Sequence, residues 1–268
     1  MDSYLNKLFK KYKCDKFEHG YSNVYEKFFL KLKNKKLKIL EIGVADGSSI
    51  KAWSDFFKNS TIIGFDIKKI DLKKKKLDKK NVDIYCGSQI DETFINSLII
   101  KYGMFDVIID DGSHLPKHVI KTFNLLFQYL NKSGIYFIED TQTSYNHFFG
   151  GNAFDLKFSN TQVNYFKNLT DSLNYQEIAN PFYTKKKYDG TIEGISFYHN
   201  MIVVKKGINN LKSKLVLNNS YEDKRYQSRL KTKGNKIRYF FKYLIMFKSF
   251  TFILFLFHLF KKIILFRY

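Results

Sequence analysis

Short apolar segments alternate with amphipathic helical patterns along most of this 268-residue chain, and this alternation constrains its fold more than any other feature. The predicted strands, each a short run rich in β-branched or aromatic residues, lie at 38–44, 61–67, 82–87, 105–110 and 134–140. Apolar residues with helical spacing at 48–58 and 116–130 lie between strands. The pattern predicts an α/β fold with a doubly wound, mainly parallel sheet, followed by an antiparallel strand pair at 194–206.

The turn after the first strand, EIGVADGSS at 41–49, indicates which ligand the sheet binds. A dinucleotide-binding turn has glycines where the backbone approaches a pyrophosphate, here positions 43, 45 and 48. The chain has Gly43, but Ala45 and Ser48 occupy the other two positions. A nicotinamide dinucleotide is therefore disfavoured, and Ser48 or Ser49 is predicted to cap the helix that follows.

The same turn resembles that of class I S-adenosylmethionine (SAM) methyltransferases, through Glu41, Gly43 and Gly47. Asp66, at the end of the second strand, completes the resemblance. SAM has no phosphate, so one open glycine turn and one acid that accepts ribose hydroxyls are enough to bind it. A tight turn without any ligand remains the alternative explanation of the two glycines.

Acidic residues follow two predicted neighbouring strands. Asp110, Asp111 and His114 come after the fourth strand, and Glu139 and Asp140 end the fifth. The carboxyl ends of parallel strands are where ligands of such sheets bind. Because clustered carboxylates raise one another's pKa, a divalent cation would stabilise them, and oxygen ligands favour Mg²⁺ or Mn²⁺ over zinc. The alternative is that each acid caps the helix after it.

Four motifs together resemble the metal-dependent sugar O-methyltransferases that modify macrolide and rhamnosyl antibiotics, a family related to the cephalosporin hydroxylases. The motifs are DKFEHGY at 15–21, DDGSH at 110–114, IEDT at 138–141 and TSYNHFFGG at 143–151. The resemblance extends from about residue 12 to 206. It implies Mg²⁺ on Asp111, Glu139 and Asp140, with His114 as general base. One departure is Gly87-Ser88-Gln89, where the family often has Gly-Asp-Gln.

The predicted chemistry follows from that resemblance. A cation lowers the pKa of a sugar hydroxyl, a histidine with an ordinary pKa of about 6.5 can accept its proton, and the oxygen then attacks the sulfonium methyl group. The predicted cofactor-binding residues are Glu41, Gly43, Ala45, Gly47, Ser48, Asp66, Gln89 and Asp110.

The excursion at 141–194 is predicted to act as a substrate lid, and within it Tyr145 and His147 are the predicted substrate contacts. Ordinary core packing is an equally good explanation of its apolar helical spacing. Residues 1–206 would then form the methyltransferase domain.

Positive charge is concentrated after this domain. The chain has 46 Lys+Arg against 25 Asp+Glu, for a net charge of +21, and no acid follows Asp223. Residues 207–234 are predicted to be a polar linker and 235–268 an apolar, basic helix lying on an anionic membrane surface. The alternative is a helix docked on this domain or on a second subunit, so a homo-oligomer is left open. A nucleic-acid partner is disfavoured, because the basic residues lie among apolar ones.

These observations predict a Mg²⁺-dependent SAM O-methyltransferase acting on a sugar hydroxyl of a cell-surface polysaccharide or glycan precursor. The alternatives are a small phenolic or catechol acceptor, or a non-enzymatic membrane-bound module with a degenerate fold. The N-terminus has no uninterrupted apolar leader, and two cysteines, Cys14 and Cys86, make no disulfide framework. We therefore expect a cytoplasmic protein, peripheral on the inner face of the cell membrane.

Overall fold

The structure is a computed structural model that describes residues 3–178, 180, 182–210, 216–217 and 220–221. The described residues fall into two compact units. The first comprises those of Met1–Tyr175 and Lys185–Asn210, and the second those of Gln176–Thr184 together with the described residues after 210. The predicted C-terminal helix at 235–268 and most of the predicted linker lie outside the described residues.

The helices of the described chain are α1 (Tyr4–Tyr12), α2 (Ser22–Phe29), α3 (Ser48–Phe56), α4 (Glu92–Tyr102), α5 (Pro116–Leu126), α6 (Gln162–Asn168) and α7 (Thr170–Leu173). The strands are β1 (Lys38–Ile42), β2 (Thr61–Asp66), β3 (Val82–Cys86), β4 (Phe105–Asp110), β5 (Leu130–Ile138), β6 (Ile192–Tyr198), β7 (Met201–Lys206), β8 (Val216–Leu217) and β9 (Ser220–Tyr221). Short 3-10 helices lie at Phe127–Tyr129, Thr141–Tyr145, His147–Phe149 and Tyr175–Glu177.

Seven strands form one mixed sheet in the order β3-β2-β1-β4-β5-β7-β6. The first five of these are parallel, and β7 pairs antiparallel with both β5 and β6. The strand order reverses between β1 and β4, which is the position where doubly wound sheets bind ligands. The predicted fold class is thus confirmed for the first unit. In the second unit, β8 and β9 form a separate antiparallel pair.

Helices cover both faces of the sheet, so alternate residues of each strand enter different cores. On one face Phe29 of α2 packs against both Phe137 of β5 and Trp53 of α3. On the other face Phe123 of α5 packs against Tyr136 of β5. The neighbouring residues Tyr136 and Phe137 therefore anchor opposite helical layers, which is the physical basis of the short apolar runs in the sequence.

The predicted fourth strand has the observed bounds, whereas the other four extend slightly too far at their carboxyl ends. The first strand ends at Ile42, before Gly43, and the fifth ends at Ile138, before the acids. At its other end the fifth strand begins at Leu130 rather than 134, because Leu130 pairs with Phe105. In each case the turn with the functional residues begins earlier than the apolar pattern indicates.

The cap of α3 differs from the prediction. Gly47, with a φ of 81°, is the N-cap residue, and the Asp46 carboxylate accepts hydrogen bonds from the Ser48 backbone N–H at 3.0 Å and from its hydroxyl at 2.6 Å. The predicted serine cap was wrong, because an aspartate two residues earlier satisfies the free backbone donor.

In the described part of the chain, no helix has both the length and the apolar character needed to cross a membrane.

Candidate active site

The sheet brings the loops after β1, β4 and β5 to one edge. The Asp111 N–H donates to the carbonyl of Ile42, and the Glu139 N–H donates to the carbonyl of Asp110, both at 3.0 Å. The backbone ladder therefore continues past the end of each strand and fixes the three loops side by side. The predicted neighbours β4 and β5 do pair, so their acids meet as the sequence indicated.

Three of these side chains converge at the mouth of the site. His114 Nε2 lies 3.6 Å from Asp140 Oδ2 and 4.0 Å from Asp111 Oδ1. One ligand atom from each of Asp111, His114 and Asp140 lies within 4.8 Å of the others, and their side chains are 21–24% exposed. This open cluster is accessible from solvent and has the donor atoms to hold a divalent cation.

Glu139 is buried and does not belong to the open cluster. Its two carboxylate oxygens accept hydrogen bonds from the buried ammonium of Lys16 at 2.9 and 2.8 Å, and Tyr25 donates to the same carboxylate. Burial raises the pKa of Glu139 well above its usual value, and the nearby Asp111 acts in the same direction. The structure thus brings Asp111 and Asp140 together with His114, and holds Glu139 in a buried ion pair beside them.

Asp140 remains readily ionised. Tyr21 donates to Asp140 Oδ1 at 2.7 Å, and His19 stacks on the Tyr21 ring with centroids 5.3 Å apart. Although partial burial opposes ionisation, the Tyr21 hydrogen bond and the nearby His114 hold the pKa of Asp140 below its usual value. An acid that stays ionised is suited to binding a cation.

His114 and Asp140 adopt left-handed backbone conformations, with φ values of 56° and 52°. The Thr143 hydroxyl lies 2.8 Å from the His114 carbonyl and 2.9 Å from the Asp140 carbonyl. The buried side chain of Gln162 donates to that hydroxyl at 2.8 Å. One threonine in the turn after β5 therefore holds the backbone of two cluster residues in conformations that non-glycine residues seldom adopt.

The predicted cofactor turn is closed by Asp66. Asp66 Oδ2 accepts hydrogen bonds from the backbone N–H groups of Val44 and Ala45, both at 3.0 Å, while Oδ1 accepts from the backbone N–H of Lys68 at 2.9 Å. A second lone pair on Oδ1 remains to accept from a ribose hydroxyl. Gly43 has a φ of 85°, and a Cβ there would lie 2.0 Å from the Asp111 carbonyl oxygen. The cofactor turn and the acidic loop therefore touch through this glycine.

Two predicted cofactor residues lie deeper than expected. Asp110 is 1% exposed, and burial raises its pKa to about 7. The buried Gln89 donates to Asp110 at 3.3 Å and to Thr122 at 3.0 Å, and its oxygen accepts from the Ser113 N–H at 2.7 Å. Gln89 therefore holds the loop after β4 in place, whether or not it also contacts the adenosine group.

Glu41 is fully buried behind the cofactor turn. It accepts hydrogen bonds from Ser49 at 2.8 Å and Trp53 at 3.2 Å, both in α3, and lies 3.5 Å from the Lys16 ammonium. Burial raises its pKa to about 7, against the effect of Lys16. These contacts link β1 to the helix that follows the turn. Contact of Glu41 with a cofactor stays a prediction.

The predicted substrate contacts lie outside the open cluster. Tyr145 is 46% exposed, and the exposed His147 stacks against Phe148 at 4.1 Å between ring centroids. The apolar helical residues of the predicted lid are instead part of the core, because Phe166 of α6 is fully buried against Phe123. The exposed segment before α6, rather than α6 itself, is thus available to a substrate.

The residues present fit both groups implied by the motifs. Two carboxylates at an open edge suit an octahedral ion that keeps positions for water or substrate, and the imidazole beside them suits a proton acceptor. An open glycine turn at the end of β1, with Asp66 at the end of β2, suits a nucleoside cofactor without a phosphate. Their contact through Gly43 places the two sites beside each other.

Sequence reasoning assigned no role to Lys16, Tyr25 or Thr143. Lys16 lies within the quoted DKFEHGY segment, so the family resemblance was an available signal for it. Thr143 begins the quoted TSYNHFFGG segment, so the same signal was available for it. Tyr25 lies in no quoted motif and carried no such signal, because tyrosines are common in cores. The importance of these residues follows from contacts made over long sequence separations, such as the 114 residues between Tyr25 and Glu139.

The fold, its glycine turn and the acidic edge define a class I methyltransferase fold. The chain is 34% identical over 215 residues to mycinamicin VI 2''-O-methyltransferase of Micromonospora griseorubida, and 33% identical over 215 residues to demethylmacrocin O-methyltransferase of Streptomyces fradiae. Over about three quarters of its length (76%) the chain is thus homologous to sugar O-methyltransferases of macrolide antibiotics, which confirms the family resemblance.

Solved structures agree with this assignment. The MycE methyltransferase from the mycinamycin biosynthetic pathway, in complex with Mg and SAH, superposes with a TM-score of 0.74 at 31% identity, covering 85% of this chain and 61% of that one. The two curated matches each cover 76% of this chain, which spans about half (53%) of the length of those relatives. No protein-family model matches the sequence.

Proposed function

We propose that the chain is a Mg²⁺-dependent SAM O-methyltransferase that methylates a sugar hydroxyl. The observation that carries the proposal is the open cluster of Asp111, His114 and Asp140 beside the Asp66-closed glycine turn. The names of the curated relatives and the Mg and SAH in the MycE structure support the same cofactors for this chain.

In this mechanism Asp111 and Asp140 would hold the ion, with Glu139 as the third carboxylate of the predicted set. A bound Mg²⁺ supplies positive charge that lowers the pKa of a nearby sugar hydroxyl. His114 Nε2 faces the same space and accepts the hydroxyl proton, and its left-handed backbone, held by Thr143, fixes the ring there. The Gly43 turn and Asp66 orient the methyl donor. Most of the rate enhancement then comes from positioning and proton transfer.

The acceptor is a sugar carried on a larger molecule. Tyr145, His147 and Phe148 expose apolar and polar surface in the excursion after β5, where the rest of such an acceptor would lie. The two curated relatives are named for macrolide antibiotics, which supports a glycoside as the class of acceptor. We further propose that the basic, apolar segment 235–268 brings the enzyme to the inner membrane face, where a polysaccharide or glycan precursor is the acceptor.

The test of this function is metal-dependent methyl transfer. With labelled SAM and a panel of glycosides, sugar-nucleotide or lipid-linked glycans and catechols, excess chelator should abolish transfer and added Mg²⁺ should restore it. Asp111→Ala should abolish metal-dependent transfer, whereas Asp78→Ala, at an exposed carboxylate, should leave it unchanged. Full activity in excess chelator would contradict the mechanism, and transfer to catechols alone would contradict the acceptor class.

A further inference from the structure

The candidate site already contains a cation of the chain itself. The ammonium of Lys16 is bonded to Asp111 Oδ2, lies 2.8 and 2.9 Å from the two oxygens of Glu139, and lies 3.5 Å from Glu41 Oε1. The Lys16 side chain is 1% exposed. One ammonium thus neutralises part of the charge of three carboxylates from the loops or strand ends of β1, β4 and β5.

A buried lysine is stable only where its charge is fully compensated. Lys16 has three N–H donors, and three carboxylates surround it. The backbone of the turn between α1 and α2 is anchored as well, since the Tyr21 N–H donates to the Lys16 carbonyl at 3.0 Å. Both the ammonium group and the backbone of Lys16 are therefore held in place.

Asp111 belongs to this ion pair and to the open cluster at once. Its Oδ2 is bonded to Lys16, while its Oδ1 lies 4.0 Å from His114 Nε2 at the mouth of the site. A divalent ion at the open cluster would share this carboxylate with an ammonium that cannot reach solvent. Two cations around one carboxylate repel each other, and water screens this repulsion poorly because the Lys16 ammonium is buried.

We infer that Lys16 is a positioning residue that acts as the resident counter-cation of the site. It keeps Asp111 and Glu139 folded together when no metal is bound, and it competes with a divalent ion for Asp111 and so lowers the affinity of the site for metal. The inference rests on the proposed function, because it takes Asp111 as a ligand of that ion.

The experiment compares the parent chain with Lys16→Met, which keeps the length of the side chain and removes its charge. In chelator, the melting temperature of Lys16→Met should fall by about 5 °C or more, because two buried carboxylates lose their partner. In calorimetric titrations with MgCl₂, the same variant should bind Mg²⁺ roughly tenfold more tightly or better, because the competing charge is gone. Lys7→Met, at an exposed lysine of α1, should match the parent in both measurements.

A second variant separates charge from packing. Lys16→Arg keeps the positive charge and should retain an Mg²⁺ affinity close to that of the parent. If Lys16→Met folds only in millimolar Mg²⁺, the ion has replaced the lost charge, as the inference requires. If it fails to fold even then, or if it binds Mg²⁺ no more tightly than the parent, the competition is overturned while the proposed function stands. A parent chain that binds neither Mg²⁺ nor Mn²⁺ would instead overturn the proposed metal dependence, and the competition with it.

Discussion

His114 lies where a proton acceptor is useful and where its backbone has to be held in place. Its Nε2 faces Asp140 and Asp111 at 3.6 and 4.0 Å, and its carbonyl accepts the Thr143 hydroxyl hydrogen bond at 2.8 Å. A left-handed residue loosens without such support. The imidazole is therefore directed at the open cluster by a contact that does not involve the reacting atoms.

Replacing this imidazole should affect the reaction and spare the binding of the cofactor. We expect His114→Ala to lower turnover by about 10²–10⁴, the range typical of a lost general base. Steady-state methyl transfer gives the turnover, and calorimetry with the demethylated cofactor should show nearly parental affinity, since proton abstraction belongs to the transition state.

His199, exposed at the turn between β6 and β7, offers the matched control, and His199→Ala should be as fast as the parent. Parental turnover of His114→Ala would place the base elsewhere, with His19 or Asp110 as the next residues to replace.

At the scale of elements, the decisive contact is between the turn after β1 and the loop after β4. Gly43 allows it in two ways, through its positive φ and through the absence of a Cβ that would lie 2.0 Å from the Asp111 carbonyl oxygen. Gly20 has a similar φ of 69° but nothing within 4 Å of the same hypothetical Cβ. Substitutions at the two glycines therefore distinguish the cost of backbone strain, which both would have, from the cost of a steric clash, which only Gly43 would have.

The comparison of two alanine variants should show both effects. Gly20→Ala should lower the free energy of unfolding by about 1–2 kcal/mol, the strain of a left-handed alanine. Gly43→Ala should cost clearly more than that and should also weaken binding of the demethylated cofactor, because the turn must move away from Asp111. Urea denaturation and calorimetry give the two quantities. Equal losses of stability would show that the loops do not meet as closely as the structure has them.

The N-terminal helix is joined to the Rossmann-like core by a charged contact. Asp55 of α3 accepts hydrogen bonds from Lys11 of α1 at 3.0 Å and from Lys79 of the loop after β2 at 2.8 Å, and Tyr12 donates to it as well. Although partial burial opposes ionisation, these hydrogen bonds hold the pKa of Asp55 well below its usual range. The ionised form therefore stabilises the fold.

The sign of the pH dependence follows from that shift. A carboxyl group with a lowered folded-state pKa contributes its full stabilisation above its unfolded pKa of about 4, and loses it as the pH falls toward the folded value. Asp55→Asn should therefore be less stable than the parent at pH 7, with a difference that shrinks below about pH 4. Denaturation at several pH values measures this, with the exposed Asp78→Asn as control. A difference that stays constant or grows at acidic pH would rule out this role of Asp55.

At the scale of the whole molecule, the distribution of charge separates two parts of the chain. Residues 224–268 contain basic residues and no acid, and the apolar residues among them suit the boundary between lipid headgroups and acyl chains. The basic residues that flank or interrupt the apolar segment are Lys236, Arg238, Lys242, Lys248, Lys261, Lys262 and Arg267. Each contributes about 1 kcal/mol near an anionic surface, an attraction that salt screens.

We expect the full chain to sediment with vesicles containing anionic lipid, and to do so less in high salt. A chain ending at Gly234 should stay in the supernatant and still methylate a water-soluble acceptor. Loss of fold or activity on truncation would indicate that the tail packs on protein, and equal sedimentation of both chains would remove the membrane role.

The sequence alone determined that the first unit has a mainly parallel sheet between helices. It also determined which functional side chains lie at one edge of that sheet. Apolar runs of strand length separated by helical periodicity leave few arrangements other than a mainly parallel sheet, and the residues after Ile109 and Ile138 must then meet at neighbouring strand ends. For the same reason Gly43 was placed correctly in the turn after β1, and Asp66 at the end of β2. These features depend on local pattern and on strand order.

Only the tertiary structure decided which acids are open and which are buried. Asp110 and Asp111 are adjacent, as are Glu139 and Asp140, yet in each pair one residue lies at the mouth and the other is buried, because successive side chains leave a strand end in different directions. Lys16 approaches these acids from 95 and 123 residues away along the chain. No local sequence pattern predicts such a contact, because the contact depends on how the turn between α1 and α2 packs against the sheet edge.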